Sequence, residues 1–346
     1  MTAPLEWCAQ ELADLERAGL RRAPVTLSGP QDPEVELQGR RVVLACSNNY
    51  LGLASDPRLR RAAAESSRGW GAGSGASRLV SGTTELHLGL ERALAAHKGC
   101  EEALLFSSGY LANVGTIAAL VGEGDAVFSD ELNHASIIDG CRMSRARVVV
   151  FSHRLPHELE RALLATPARR RLVVTDTVFS MDGDLAPLAE LASVCGRNGA
   201  MLMVDEAHAT GLLGASGAGA VEQAGLTGRV EVVMGTLSKA LGSAGGFVAG
   251  RRELVELLRN RARTYIFDTA PNPAAVGAAL EALKILCAEP WRRRRALESA
   301  RRLASGIASL GFSVSPPAAA AFPVLVGPSD EAVALSARLL ELGVLV

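Results

Sequence analysis

Residues 201–208 read Met-Leu-Met-Val-Asp-Glu-Ala-His, an apolar run that ends on two acidic residues and a histidine. A short run without polar alternation is typical of a strand buried on both faces, as in a parallel sheet. In such sheets ligands bind beyond the carboxyl ends of the strands, which is where Asp205 and His208 fall. The stretch therefore predicts a parallel sheet with a functional site at its rim.

Similar apolar runs recur on both sides of this stretch, and helical segments such as Leu188–Cys195 separate most of them. These runs are Ala103–Phe106, Ala126–Phe128, Val148–Phe151, Leu172–Val174, Met201–Val204 and Val230–Met234. Strands that alternate with helices predict an α/β fold, with a mostly parallel sheet covered by helices.

The strand–helix alternation does not extend to the ends of the chain. A helix is predicted from Glu6 to Arg22, followed by an extended arm. We expect the helix and the arm together to occupy residues 1–45. A large domain is expected to span residues 46–285, and residues 286–346 are expected to begin a small C-terminal α/β domain. Because the sequence stops on the apolar strand Val344–Val346, we expect that small domain to be truncated.

Lysine is rare in this chain, since Lys98, Lys239 and Lys284 are the only lysines among 36 basic residues. Lysine can lose its proton and form Schiff bases, whereas arginine cannot. Lys98 ends a helix and Lys284 borders an apolar stripe, so both have ordinary structural explanations. Lys239 follows the strand Val230–Met234, in a loop whose hydroxyl and N–H groups suit a phosphate. Lys239 is therefore the candidate functional lysine.

Composition and spacing exclude several other classes of protein. The net charge of −1 argues against a nucleic-acid partner, and the Arg292–Arg295 run is interpreted as a solvated helix face. Without an apolar run of membrane length or a signal peptide, we expect no membrane association. Six scattered cysteines without CxxC spacing indicate reduced thiols, a cytoplasmic location and no metal site.

The tetrapeptide Asp205–His208 also invites a comparison with ATPases, which need a G-x-x-x-x-G-K-[ST] phosphate loop. No lysine of this chain follows glycine or precedes serine or threonine, so that class is excluded. Gly71–Ala76 loosely fits a dinucleotide fingerprint, but no strand precedes it. We interpret Gly69–Gly82 as a functional loop whose conformation the sequence leaves open.

A lysine, an aspartate and a phosphate-binding loop are together what pyridoxal phosphate requires. Lys239 and Asp205 supply the first two. Ser107–Tyr110 follows a strand and opens a helix, where N–H groups can hold a phosphate. His134 is a candidate for stacking on the cofactor ring, although a histidine in this pattern is, taken alone, more often a capping or core residue.

Six stretches, in this order and spacing, resemble the α-oxoamine synthases, which are pyridoxal phosphate enzymes of fold type I. They are Ser47–Leu53, Gly73–Gly82, Ser107–Asn113, Val178–Asp184, Asp205–His208 and Thr236–Lys239. The resemblance covers nearly the whole chain. It implies an aminotransferase-like fold and a homodimer whose active site is shared between the subunits.

The resemblance also implies residue roles around the cofactor. Lys239 would form the imine and later remove the substrate's Cα proton. Asp205 would pair with the pyridine nitrogen, His208 would bond the phenolic oxygen and His134 would stack on the ring. The remaining implied cofactor contacts are Ser108, Gly109, Tyr110, Ser180, Thr236 and, donated to the neighbouring subunit, Thr269. The implied substrate contacts are Arg21, Asn48 and His134.

The implied reaction is the decarboxylative condensation of L-alanine with pimeloyl-CoA, or its carrier-protein thioester, to 8-amino-7-oxononanoate, CoA and CO₂ in biotin biosynthesis. The Ser77–Gly82 stretch favours this branch. The alternatives are relatives that use glycine or serine, namely the 2-amino-3-ketobutyrate CoA ligase, 5-aminolevulinate synthase and serine palmitoyltransferase types. A non-catalytic partner subunit is a remote alternative. We expect the family's carboxylate-binding arginine to lie after the present C-terminus.

Overall fold

The computed structural model describes residues 4–346, which divide by their contacts into two compact units. One unit combines the chain up to Ser47 with Val324–Val346, and the other is Asn48–Pro323. The predicted domain limits at residues 45 and 285 stay predictions.

Regular structure covers most of both units. The strands are β1 Leu27–Ser28, β2 Glu34–Leu37, β3 Arg40–Leu44, β4 Glu102–Phe106, β5 Ala126–Asp130, β6 Arg147–Phe151, β7 Arg171–Asp176, β8 Met201–Asp205, β9 Val232–Thr236, β10 Gly246–Gly250 and β11 Val344–Leu345. The helices are α1 Glu6–Arg17, α2 Pro57–Trp70, α3 Glu85–Lys98, α4 Gly109–Leu120, α5 Ala135–Ser144, α6 Pro156–Ala165, α7 Leu188–Arg197, α8 Ala220–Gln223, α9 Arg252–Arg261, α10 Arg263–Ile266, α11 Pro273–Ala288, α12 Trp291–Ser309 and α13 Ser329–Glu341.

The smaller unit is built on a four-stranded sheet in the order β1-β2-β3-β11. Alternating residues of β2 and β3 point inward, and Val35, Leu37 and Val42 form its core with Leu345. The last strand, β11, pairs in parallel with β3, so the two ends of the chain meet in one sheet. Helix α1 is shorter than predicted, because the chain turns at Ala18.

The larger unit contains a seven-stranded sheet in the order β4-β10-β9-β8-β7-β5-β6. All neighbouring strands are parallel except β10, which runs antiparallel to β4 and β9. Successive side chains enter opposite cores in every strand of this sheet except the edge strand β6, where Val148 and Val150 are exposed. Leu104 and Phe106 pack toward α4, α5 and α9, whereas Leu105 packs toward α3, α7 and α11. Burial on both faces explains why these strands are apolar runs, and it confirms the predicted α/β architecture.

The arginine run at the start of α12 differs from its predicted solvated character. Arg292 pairs with Asp56 and Glu289, and Arg293 is only 8% exposed, with Nη2 donating to the Ala215 carbonyl at 2.7 Å. The prediction was wrong for these two residues because their acceptors are brought to the helix by tertiary packing. None of the helices within residues 4–346 combines the length and apolar character needed to span a bilayer.

The glycine-rich segment after α2 has a defined conformation. Ser77 forms a β-bridge with Thr269, and Arg78–Gly82 forms a single π-helical turn. The turn is anchored where Arg78 pairs with Glu91 at 3.0 Å, with both side chains buried. A π-turn of this kind often marks a functional site, which agrees with the interpretation of this loop as functional.

Candidate active site

Three neighbouring parallel strands, β5, β7 and β8, each end on an aspartate at the same rim of the sheet. Asp130, Asp176 and Asp205 are 2%, 5% and 3% exposed, and Asp176 lies directly opposite Asp205 in the strand register. Only Asp205 was predicted as a site residue. The signal for the other two was present in the sequence, because an aspartate lies one or two residues after each of the three apolar runs.

The Asp205 carboxylate accepts hydrogen bonds from two nitrogen atoms, a side-chain amide and a backbone amide, that can only donate. Asn113 Nδ2 donates to Oδ2 and the Ala207 N–H donates to Oδ1, both at 2.7 Å. This donor set suits an ionised carboxylate. Burial, and then the charge of Asp205, raise the pKa of Asp176 well above its usual value. A second negative charge beside Asp205 is therefore unfavourable at this rim.

Lys239 lies in the loop after β9, and its Nζ is 2.8 Å from His208 Nε2. Burial lowers the pKa of Lys239, while the carboxyl groups of Asp205 and Asp176 oppose that shift. Burial also lowers the pKa of His208 to about 3, helped by the nearby Lys239 and His134. At neutral pH the histidine is therefore uncharged, and the lysine has a larger share of free amine than an exposed lysine would have.

His134 caps the N-terminus of α5 and is held at three points. Its Nδ1 accepts from the Ser136 backbone N–H at 3.2 Å and lies 2.7 Å from Ser136 Oγ, while the backbone N–H of His134 donates to Asp176 Oδ2 at 2.7 Å. Since a backbone N–H can only donate, Nδ1 carries no proton and Nε2 does. Ser136 Oγ in turn accepts from Asn113 at 2.9 Å, so one hydrogen-bonded chain connects His134 to Asp205.

A second group of predicted residues meets where α4 begins. Ser108 caps the helix, with Oγ accepting from the Leu111 N–H at 3.1 Å. The first N–H groups of a helix have no intrahelical acceptor. In α4 these free donors are the backbone N–H groups of Gly109 and Tyr110. Thr236 borders Gly109 closely, as a Cβ on the glycine would lie 3.4 Å from the threonine side chain. This arrangement suits an anion such as phosphate.

The other predicted site residues lie at varying distances from these two groups. Ser180 is exposed in the turn after β7, and Thr269 is exposed next to α4, with its carbonyl accepting from Ser107 Oγ at 3.1 Å. Asn48 accepts from the Tyr50 hydroxyl at 3.0 Å. Arg21 belongs to the smaller compact unit, where it pairs with Glu16 at 2.9 Å. The roles of all four stay predictions.

Lys98 has a larger part in the structure than its position at a helix end indicated. Helix α3 does end there, with Gly99 in the left-handed region. The Lys98 ammonium, however, is buried and donates to Glu206 Oε2 at 2.5 Å and Thr210 Oγ1 at 2.8 Å. Glu206 also accepts from the Val221 N–H at 2.7 Å. This buried ion pair secures the loop that carries Asp205 and His208.

The close approach of β10 to α4 gives a testable prediction. A Cβ on Gly246 would lie 2.5 Å from the Ser108 carbonyl oxygen and 2.6 Å from the Gly109 nitrogen, both backbone atoms. Gly246→Ala must therefore displace the start of α4, and we expect a loss of about 1–3 kcal/mol of unfolding free energy. We also expect weaker binding of pyridoxal phosphate, measured by absorbance titration.

Gly89→Ala is the matched control for this substitution. Gly89 lies inside α3, and a Cβ there meets nothing within 4 Å. This change should stabilise the protein by about 0.5–1 kcal/mol and leave cofactor affinity unchanged. Wild-type affinity in Gly246→Ala would show that the start of α4 does not hold the phosphate.

Comparison with known proteins agrees with this geometry. Residues 40–346 match the family described as aminotransferase class I and II. The chain belongs to that family. Within it, the chain is 60% identical over 341 residues to an 8-amino-7-oxononanoate synthase of Anaeromyxobacter sp. (strain Fw109-5), covering 99% of this chain and 86% of that protein. The resemblance to α-oxoamine synthases is thereby confirmed.

Two solved structures show the same family fold. A serine palmitoyltransferase from S. paucimobilis, with a bound PLP–myriocin aldimine, superposes with a TM-score of 0.92 at 33% identity, covering 99% of this chain and 90% of that one. An 8-amino-7-oxononanoate synthase from Francisella tularensis superposes with a TM-score of 0.75 at 26% identity, covering 88% and 87%. The predicted fold-type I, aminotransferase-like class is confirmed.

Proposed function

We propose that this chain condenses L-alanine with pimeloyl-CoA, or the equivalent carrier-protein thioester, to form 8-amino-7-oxononanoate for biotin biosynthesis. A carbon–carbon bond forms between alanine Cα and the thioester carbonyl, whose C–S bond breaks to release CoA. The alanine carboxyl group leaves as CO₂, and a proton replaces it. The observation that carries the proposal is Lys239, a half-buried amine 2.8 Å from His208 Nε2 whose pKa is lowered, at the rim that holds Asp205.

The residues at the rim fit pyridoxal phosphate by their donor chemistry. Lys239 offers an amine for the aldehyde, the ionised Asp205 offers a partner for a protonated pyridine nitrogen, and the start of α4 offers N–H groups for the phosphate. Bound there, the cofactor would supply a ring that accepts the electron pair released at the substrate's Cα. His134 would stack on the ring, and His208 would bond its phenolic oxygen. Ser108, Gly109, Tyr110 and Thr236 would hold the phosphate, with Ser180 as a further contact.

The protein's own groups then move the protons of the reaction. Lys239 is the base for the alanine Cα proton, because its lowered pKa raises the share of free amine above that of an exposed lysine. His208 accepts a hydrogen bond from Lys239 and keeps the amine oriented. Asn113 donates to both Asp205 and Ser136, and Ser136 holds His134 Nδ1, so this chain fixes the orientation of both predicted cofactor contacts. Asn48 and Arg21 are proposed as substrate contacts.

Three further features belong to the proposal. The enzyme works as a homodimer that shares its active sites, with Thr269 donated to the neighbouring subunit's phosphate. Its location is cytoplasmic, which the free cysteines support. Its partners are small molecules and an acyl carrier thioester, without nucleic acid or membrane. Within the described residues, no cluster of three or more histidine, cysteine or acidic side chains is arranged to hold a metal ion.

The test is product analysis with the purified protein and pyridoxal phosphate. L-alanine, glycine and serine are each offered with pimeloyl-CoA, acetyl-CoA and palmitoyl-CoA, and the products are identified by mass. We expect the alanine–pimeloyl product with the highest kcat/KM. Condensation of glycine with a short acyl-CoA, or of serine with palmitoyl-CoA, without the alanine product would assign the chain to another branch of the family.

A further inference from the structure

The hydrogen bonds around His208 extend beyond Lys239 to two residues of the segment before α2. His208 Nδ1 lies 2.7 Å from the Tyr50 hydroxyl, and that hydroxyl lies 3.0 Å from Asn48 Oδ1. The four side chains Lys239, His208, Tyr50 and Asn48 therefore form one continuous chain. The resemblance to known enzymes implied a role for three of them but none for Tyr50.

Counting protons fixes the direction of every bond in this chain. Asn48 Oδ1 can only accept, so the single Tyr50 hydroxyl proton points to it. Tyr50 must then accept from His208, which requires a proton on Nδ1. Burial makes His208 a neutral ring with one proton and also raises the pKa of Tyr50, so the phenol stays protonated. Nε2 is left bare and accepts from Lys239.

We propose that Tyr50 is a positioning residue that fixes His208 in the Nδ1–H tautomer and so turns a bare Nε2 toward Lys239. An acceptor at this position holds the Lys239 amine in one direction whether or not the lysine is charged, because both forms can donate. With the opposite tautomer, Nε2–H would face the lysine protons and no hydrogen bond from the ammonium could form. The catalytic consequence rests on the proposed function, whereas the tautomer itself does not.

Titratable groups from several elements lie close to His208 and Lys239. Lys239 and His134 act on His208, and Asp205 with Asp176 acts on Lys239. None of these offers Nδ1 an acceptor in place of Tyr50. Removing the Tyr50 hydroxyl should therefore remove the preference of His208 for the Nδ1–H tautomer without changing the charges around the ring.

The test uses histidine labelled with ¹⁵N in the full chain, with and without pyridoxal phosphate. The His208 signals are assigned by their loss in His208→Gln. In the wild type, we expect a protonated Nδ1 and a bare Nε2. In Tyr50→Phe, the Nδ1–H form should lose its dominance, and kcat with alanine and pimeloyl-CoA should fall about 2- to 10-fold, the effect of one hydrogen bond.

Two further variants make the outcome decisive. Asn48→Ala, at an exposed position, frees the Tyr50 proton to donate to Nδ1, so the tautomer should reverse to Nε2–H even if Tyr50→Phe folds poorly. Tyr265→Phe removes the hydroxyl of another buried tyrosine and should leave the His208 signals unchanged. A wild-type His208 protonated on Nε2, or unchanged His208 signals in both Tyr50→Phe and Asn48→Ala, would overturn the proposal. Absence of any condensation product would instead reject the proposed function and leave the tautomer result standing.

Discussion

Lys239→Ala should lower the rate of condensation by roughly 10²–10⁴-fold, the range expected when a positioned general base is removed. Lys239 is half-buried beside His208, with Asp205 and Asp176 acting on its charge. Neither of the other two lysines can take its place, because Lys98 is paired in the core and Lys284 is an exposed residue of α11. The rate is measured with alanine and pimeloyl-CoA at saturating pyridoxal phosphate.

Borohydride reduction followed by peptide mass analysis shows whether this lysine holds the cofactor. We expect the cofactor mass on the Lys239 peptide of the wild type and on no peptide of Lys239→Ala. Lys284→Ala is the matched control, since its ammonium pairs with Glu281 on the surface with 73% of the side chain exposed. Wild-type activity in Lys239→Ala, or labelling at Lys98 or Lys284, would refute the assignment.

Lys98→Met should have the largest effect on stability, a loss of about 3–5 kcal/mol. The side chains of Lys98 and Glu206 are 2% and 0% exposed, so removing the ammonium leaves an unpaired carboxylate inside the protein. The free energy of unfolding is measured by urea denaturation. Because Glu206 belongs to the loop between Asp205 and His208, cofactor affinity should fall as well.

Two variants separate the buried pair from a general effect of losing lysine. Lys284→Met removes an exposed ammonium and should change the unfolding free energy by less than about 1 kcal/mol. Lys98→Met combined with Glu206→Gln removes both charges and should recover part of the loss. Equal stability of Lys98→Met and Lys284→Met would mean that the buried ion pair does not stabilise this loop.

The sheet and its functional rim could be predicted from the sequence because buried parallel strands leave a local signature. An apolar run followed by a polar residue marks both a strand and its carboxyl end, as at Met201–Asp205. The same signature marks Asp176, where the apolar run Leu172–Val174 is followed by Thr175 and then the aspartate. Asp176 was therefore as predictable from local pattern as Asp205.

Contacts between distant residues could not be predicted from local pattern. Lys98 meets Glu206 across 108 positions of sequence, and Tyr50 meets His208 across 158. A helix-ending lysine has the same local pattern whether its ammonium is solvated or buried. Only the packing of α3 against the sheet decides between the two, as the packing of α12 does for Arg293.

The central claim is that Lys239 removes the Cα proton of alanine, and hydrogen exchange in D₂O tests it most directly. The wild type, loaded with pyridoxal phosphate, is incubated with L-alanine without any thioester, and deuterium at Cα is followed by NMR. We expect exchange at Cα in the wild type and in Lys284→Ala, and a rate roughly 10²–10⁴-fold lower in Lys239→Ala. Equal exchange rates in Lys239→Ala and the wild type would contradict it.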